Sequence, residues 1–285
     1  MPRSFVGEST RALWEVLPCA MECAVWLDVL LFGAAFLAGI VNSMAGGGTL
    51  LTFPALLSAG LPAVTANATS TVALVPGSLS AFWGYRSEVQ GEGRLLLAMA
   101  VPSLMGGTLG ALAADHVGDA VFAKLAPLLV LGATFLFMAQ EPLRRWSHAR
   151  SGLVPEGGRE VQKLGAIGGF QFLVALYGGF FGAGIGILML AALGFLGLRD
   201  IHRMNGLKNI AAVCINGLAA LTFAARGRVN WPIASFMIVG GIAGGYTGAG
   251  LAQRLGQQMV RRLIVMVGLL ISLYLFLRLA LHPAG

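Results

Sequence analysis

Long apolar runs separated by short polar breaks fill the chain from about residue 24 to residue 281. They fall at 24–45, 49–60, 66–85, 94–114, 119–140, 164–182, 185–198, 204–225, 231–253 and 259–281. Most hold the roughly 20 residues with which a helix crosses a bilayer. Inside lipid the backbone must satisfy its own hydrogen bonds, so these runs predict helices. The runs at 49–60 and 185–198 are too short to span comfortably. Each follows a glycine cluster, which predicts a re-entrant or broken helix. The fold class expected is an all-α polytopic membrane protein.

The two short runs expose an internal repeat. Ala45-Gly46-Gly47-Gly48-Thr49 aligns with Gly182-Ala183-Gly184-Ile185-Gly186, and Gly60-Leu61 with Gly197-Leu198. Asn67 aligns with Asn205 after a one-residue insertion, and the glycines at 106, 107 and 110 with those at 244, 245 and 248. The division expected is an interfacial segment at 1–22, a first membrane repeat at 23–140, a cytoplasmic connecting loop at 141–163 and a second repeat at 164–281. Each repeat then holds four to five transmembrane or half-membrane helices, a construction usual among secondary transporters. If the short runs cross, the halves are inverted; if they are re-entrant, the halves are parallel. The number of Lys and Arg on the inner face is the same in both arrangements, so charge does not choose between them.

Composition agrees with a chain in lipid. Of 285 residues, 57% are hydrophobic and 11% charged, and the mean hydropathy is +0.80. Soluble domains carry about 25% charged residues. The net charge of +7 sits in short loops, as the positive-inside rule places it, and argues against nucleic acid. The connecting loop carries Arg144, Arg145, Arg150, Arg159 and Lys163, which predicts a multi-pass protein of the cytoplasmic membrane with that loop inside. Residues 1–22 lack the uninterrupted apolar core of a signal peptide. Cys19, Cys23 and Cys214 form no C-x-x-C, and four scattered histidines suggest no metal site. No cofactor is expected.

Polar residues inside the apolar runs carry the chemistry. Asn205, Lys208, Asn209 and Asn216 fall within about 100° of one another on one helical face. The matching first-half positions are Asn67, Ser70, Thr71 and Ser78. Ser, Thr and Asn often bond across membrane helices as plain glue, but two equivalent stripes with three asparagines and a lysine point to a lined cavity. Lys208 lies within a predicted span and shares the face of the asparagines. An intramembrane lysine costs roughly 2.5–3.5 kcal/mol on insertion scales, so it faces a partner or a polar path unless it snorkels to the interface. No Asp or Glu is expected mid-membrane, whereas cation pathways and carboxylate proton relays normally need one. Glycine turns at Gly46, Gly47, Gly48 and at Gly182, Gly184, Gly186 can turn N–H groups toward an anion at a helix N-terminus. Their other reading is close helix packing. Together these groups form a candidate site for a small oxyanion.

Residues 39–54, GIVNSMAGGGTLLTFP, followed by Ala66-Asn-Ala-Thr-Ser70, resemble the TauE/SafE sulfite exporter family. So does Arg203-Met-Asn-Gly-Leu-Lys-Asn209, followed by Gly227-Arg-Val-Asn-Trp231. The resemblance covers roughly 24–281. It implies a permease that moves sulfite, organosulfonates or related sulfur-containing or organic anions, often outward. Many members carry a Thr-Ser pair in both halves; Thr69-Ser70 fits the first, while Leu207-Lys208 stands in the second. The partners implied are a small anionic substrate and the lipid bilayer, and a homo-oligomer is compatible with them. A passive anion channel and an intramembrane enzyme are the alternatives.

Overall fold

A computed structural model describes residues 26–44, 46–149, 160–196, 198, 200–251 and 257–281. Among these the chain is helical, with no strand. The N-terminal segment 1–22 lies outside the described residues. The helices are α1 (Trp26–Met44), α2 (Thr49–Ser58) and α3 (Ala63–Tyr85). A 3₁₀ turn follows at Arg86–Val89. The helical run Gly93–Ala149 then bends at Gly118, whose φ of 74° is left-handed. It therefore divides into α4 (93–117) and α5 (119–149). The remaining helices are α6 (Glu160–Phe180), α7 (Ile185–Phe195), α8 (Ile201–Ala225), α9 (Trp231–Leu251) and α10 (Gln257–Leu281). Helix enters the expected loop 141–163 from both sides, α5 running on to Ala149 and α6 starting at Glu160.

Among the described residues, three stretches are long and apolar enough on their own to cross a membrane: Trp26–Met44, Gly93–Leu143 and Ile201–Ala225. At 23 residues, α3 would reach about 34 Å at 1.5 Å per residue. Its polar stripe lowers its hydropathy, but Asn67, Thr69, Ser70, Thr71 and Ser78 are all buried in the bundle and none meets lipid.

Glycine ends the broken helices. Gly46, at φ 72°, donates its N–H to Val41 O, and Gly182, at φ 81°, donates to Tyr177 O. Each is the left-handed close of a helix that only glycine makes without strain. Two residues later, Gly48 and Gly184 are the N-caps of α2 and α7. The two breaks face each other at the centre of the bundle.

Polar contacts sort the helix ends into two faces. At the first face Asp119, opening α5, accepts from the N–H of Val64 at the start of α3. Arg228, in the turn after α8, pairs with Asp115 and Asp119 at 2.6 and 3.5 Å. At the second face Arg203, near the start of α8, pairs with Glu92, ahead of α4. His202 lies against Tyr85 there.

Small residues seat the helices between these faces. On α9, Gly240, Gly244 and Gly248 lie in turn against Phe32, Phe36 and Ile40 of α1, and Gly245 lies against Gly77 of α3. On α4, Gly106 and Gly110 lie in turn against Phe172 and Leu176 of α6, and Gly107 against Ile215 of α8. Contacts that advance together mean parallel helices, so α1 runs from the first face inward and α6 from the second.

Candidate functional site

Between the two breaks lies a narrow polar cavity with room for about one water molecule. Its walls carry Asn42, Thr49, Ser78, Lys208, Asn209 and Asn216, with Gly46, Gly182 and Gly186 at the two breaks. Among the described residues no Asp or Glu lines it.

Lys208 is 1% exposed and crosses to the end of α1. Its Nζ donates to Asn42 O at 2.8 Å and Ser43 O at 3.1 Å. An ammonium has three N–H donors; two are placed by backbone, and Lys208 itself lines the cavity. Among the described residues no carboxylate forms an ion pair with it. Asn209, also 1% exposed, lines the same space, and its Nδ2 has no partner in the protein. A buried amide donor without a partner costs free energy, which a ligand oxygen would recover.

The two short helices differ at their N-termini. At α2, Asn42 Oδ1 accepts from the N–H groups of Gly47 and Gly48, at 2.7 and 2.8 Å. The protein's own amide oxygen therefore stands where an anion would. At α7 no comparable side-chain bond to the first N–H groups is found among the described residues, and Ile185 and Gly186 line the cavity. The residue one helix-break register away from Asn42 is Gly178, which has no side chain to offer.

The remaining candidates are buried beside this space. Asn67 donates through Nδ2 to Phe180 O, the end of α6, at 3.0 Å, and its Oδ1 is unpartnered. Ser70 shares a 2.5 Å hydrogen bond with Thr52 of α2. Thr71 donates to Asn67 O within its own helix, and Asn205 is buried with Oδ1 unpartnered. Gly47 and Gly48 feed Asn42, and Gly184 caps α7 against Leu136. The structure thus brings Gly46, Gly182, Gly186, Ser78, Lys208, Asn209 and Asn216 onto one cavity. Outside that lining, Asn67 and Ser70 make helix-to-helix contacts, Thr71 bonds within α3, and Asn205 is buried. Asn42 and Thr49 join the cavity without having been singled out. For Asn42 a signal exists, since it too is an asparagine within an apolar run.

Comparison with known proteins adds the following. The pattern of a family described as "Sulfite exporter TauE/SafE" matches residues 31–275. A "Probable membrane transporter protein" of Haemophilus influenzae is 29% identical over 237 residues, 79% of this chain and 84% of that protein. The "Probable membrane transporter protein YfcA" of Escherichia coli K12 is 32% identical over 227 residues, 75% and 77% of the two chains. A "Probable membrane transporter protein ORF9" of Sinorhizobium sp is 33% identical over 183 residues, 62% and 64% of the two chains. No solved structure matches.

Proposed function

This chain belongs to the TauE/SafE sulfite exporter family and is a membrane transporter, and we propose that it carries small anions such as sulfite, organosulfonates or related sulfur-containing or organic anions outward across the cytoplasmic membrane. The observation that carries this reading is the cavity wall, which among the described residues holds an ammonium, an unpartnered amide donor and no carboxylate. Asn209 Nδ2, the ammonium of Lys208, Asn216 and the N-terminus of α7 are all complementary to an oxyanion. The anion seats at α7 and not at α2, because Asn42 already occupies the N–H groups of Gly47 and Gly48.

The helix arrangement supports alternating access between two inverted repeats, 23–140 and 164–281. The docking is reciprocal: α4 of the first half seats on α6 and α8, and α9 of the second half seats on α1 and α3. Opposite entry of α1 and α6 fits halves inserted in opposite directions. Placing 141–163 in the cytoplasm makes the second face the inner one and the first face the outer one. Most of the cavity residues are buried, with Asn42, Gly182 and Asn216 half-buried, and ion pairs tie both faces, which fits an occluded carrier better than an open pore. Export of a monoanion from a negative-inside cell is downhill by about 2.3 kcal/mol per 100 mV.

The test is flux. Purified protein in vesicles should release sulfite or a sulfonate with saturation, and external anion should accelerate the release of labelled internal anion. Flux that rises linearly with concentration and shows no counterflow would select the channel instead. Vesicles in which none of these anions moves faster than in protein-free controls would remove the substrate assignment.

A further inference from the structure

The broken end of α1 holds a cation that belongs to the chain itself. A helix that stops inside a protein leaves its last carbonyls unpaired, and that end carries partial negative charge. In transporters built from interrupted helices, such carbonyl ends are where a free cation is coordinated. Here Asn42 O and Ser43 O, two carbonyls from one half of the chain, both accept from Nζ of Lys208 in the other half. The ammonium is buried and has no carboxylate partner among the described residues. At the matching end of α6 the carbonyl of Phe180 is met by a neutral amide, Asn67 Nδ2. Among the described residues, one of the two broken ends is met by a charged group, and that charge is covalently held.

We propose that Lys208 is a tethered cation: its ammonium fills, at the carbonyl end of α1, the site that a free monovalent cation would take. Two consequences follow. On the transport reading above, anion movement needs no Na⁺, because the chain itself supplies the positive charge beside the anion. Independently of that reading, a chain shortened at this position exposes a site for a small primary ammonium. Lys208→Ala removes Cγ, Cδ, Cε and Nζ, the atoms of n-propylammonium. That molecule brings back the same three donors on the same apolar stem. Neutral n-propanol matches the stem alone, and tetramethylammonium brings charge with no N–H to donate.

The experiment uses the full chain in detergent and in vesicles. In thermal unfolding, saturating n-propylammonium should raise the melting temperature of Lys208→Ala by at least about 3 °C and leave the parent unchanged. It should also leave Lys208→Met unchanged, because the methionine fills the stem's place. n-Propanol and tetramethylammonium should not act on Lys208→Ala. An equal rise with n-propanol would reduce the effect to filling of an apolar hole and overturn the proposal, as would a rise in the parent or the Met variant. No rise with n-propylammonium would overturn it too. If Lys208→Ala does not fold, the parent decides: flux unchanged when choline replaces Na⁺ supports a tethered cation, and a tenfold fall overturns it. If the parent moves no anion at all, the transport reading falls, while the melting shift still decides the ammonium site.

Discussion

Gly46 and Gly186 touch backbone to backbone across the two breaks: a Cβ on Gly46 would lie 2.6 Å from Cα of Gly186. Neither side can give way, since the obstacle is main chain and Gly46 also holds φ at 72°. A non-glycine residue in the left-handed region costs roughly 1–2 kcal/mol before any overlap is counted. Gly46→Ala should therefore lower the melting temperature by more than about 5 °C at this chain size. Gly132→Ala is the comparison, because nothing lies within 4 Å of its added Cβ and alanine is the better helix former. It should melt at or above the parent temperature. Equal melting of the two variants, followed by circular dichroism, would mean that the breaks do not meet as described.

Much of the fold is legible from the runs of apolar residues, because lipid forces long apolar stretches into helix. The interruptions at Gly46–Gly48 and Gly182–Gly186 are legible for a related reason: glycine clusters beside half-length runs have no comfortable way to continue as a span. The partners of the polar stripe are not legible. Asn42 and Lys208 are 166 positions apart, and no local pattern says that an ammonium on α8 closes the end of α1. The register of the breaks also escapes alignment by one residue. The glycine letters pair Ala45 with Gly182, whereas the backbone pairs Gly46 with Gly182, each donating to the carbonyl five residues earlier. That shift matters, since it sets Asn42 against Gly178 and leaves α7 without the cap that α2 has.

At the first face, Asp119 does two jobs that substitution can separate. Its Oδ1 caps α3 at the N–H of Val64, and its Oδ2 pairs with Arg228. Asp119→Asn keeps an oxygen for the cap and loses the ion pair, which for partly exposed groups is worth about 0.2–1 kcal/mol. Asp119→Ala loses both, and an N-cap is typically worth about 1 kcal/mol. The alanine variant should melt about 2–4 °C below the asparagine variant. Identical melting curves would show that the bond to Val64 contributes nothing.

Lys208→Met tests the charge in the cavity. Methionine keeps most of the stem but offers no donor to Asn42 O, Ser43 O or an anion. A charge-assisted hydrogen bond is worth roughly 1.5–3 kcal/mol, so half-saturation for sulfite efflux should rise at least about tenfold. Lys208→Arg should fall between, because charge survives while the planar fork fits two converging carbonyls differently. Efflux is normalised to correctly inserted protein, so that lost stability is not counted as lost affinity. Parental half-saturation in Lys208→Met would take Lys208 out of the anion site.

Asn209 should split stability from function in opposite directions. Its Nδ2 is buried on the cavity wall without a partner, so the empty protein carries the cost of an unmet donor. Asn209→Leu replaces that amide with an apolar side chain of similar shape. Removing an unsatisfied buried donor recovers about 1–3 kcal/mol, and the variant should melt at least about 2 °C above the parent. The same change takes away a donor to the substrate, so half-saturation for anion efflux should rise about tenfold or more. Asn209→Asp should go further, since a carboxylate beside the cavity repels the anion it is meant to hold, and efflux should fall below that of the leucine variant. A group that only packs helices would give another pattern, with melting temperature and affinity falling together or neither moving. Either result would remove Asn209 from the anion site, and with it the unpartnered donor on which the seat at α7 rests.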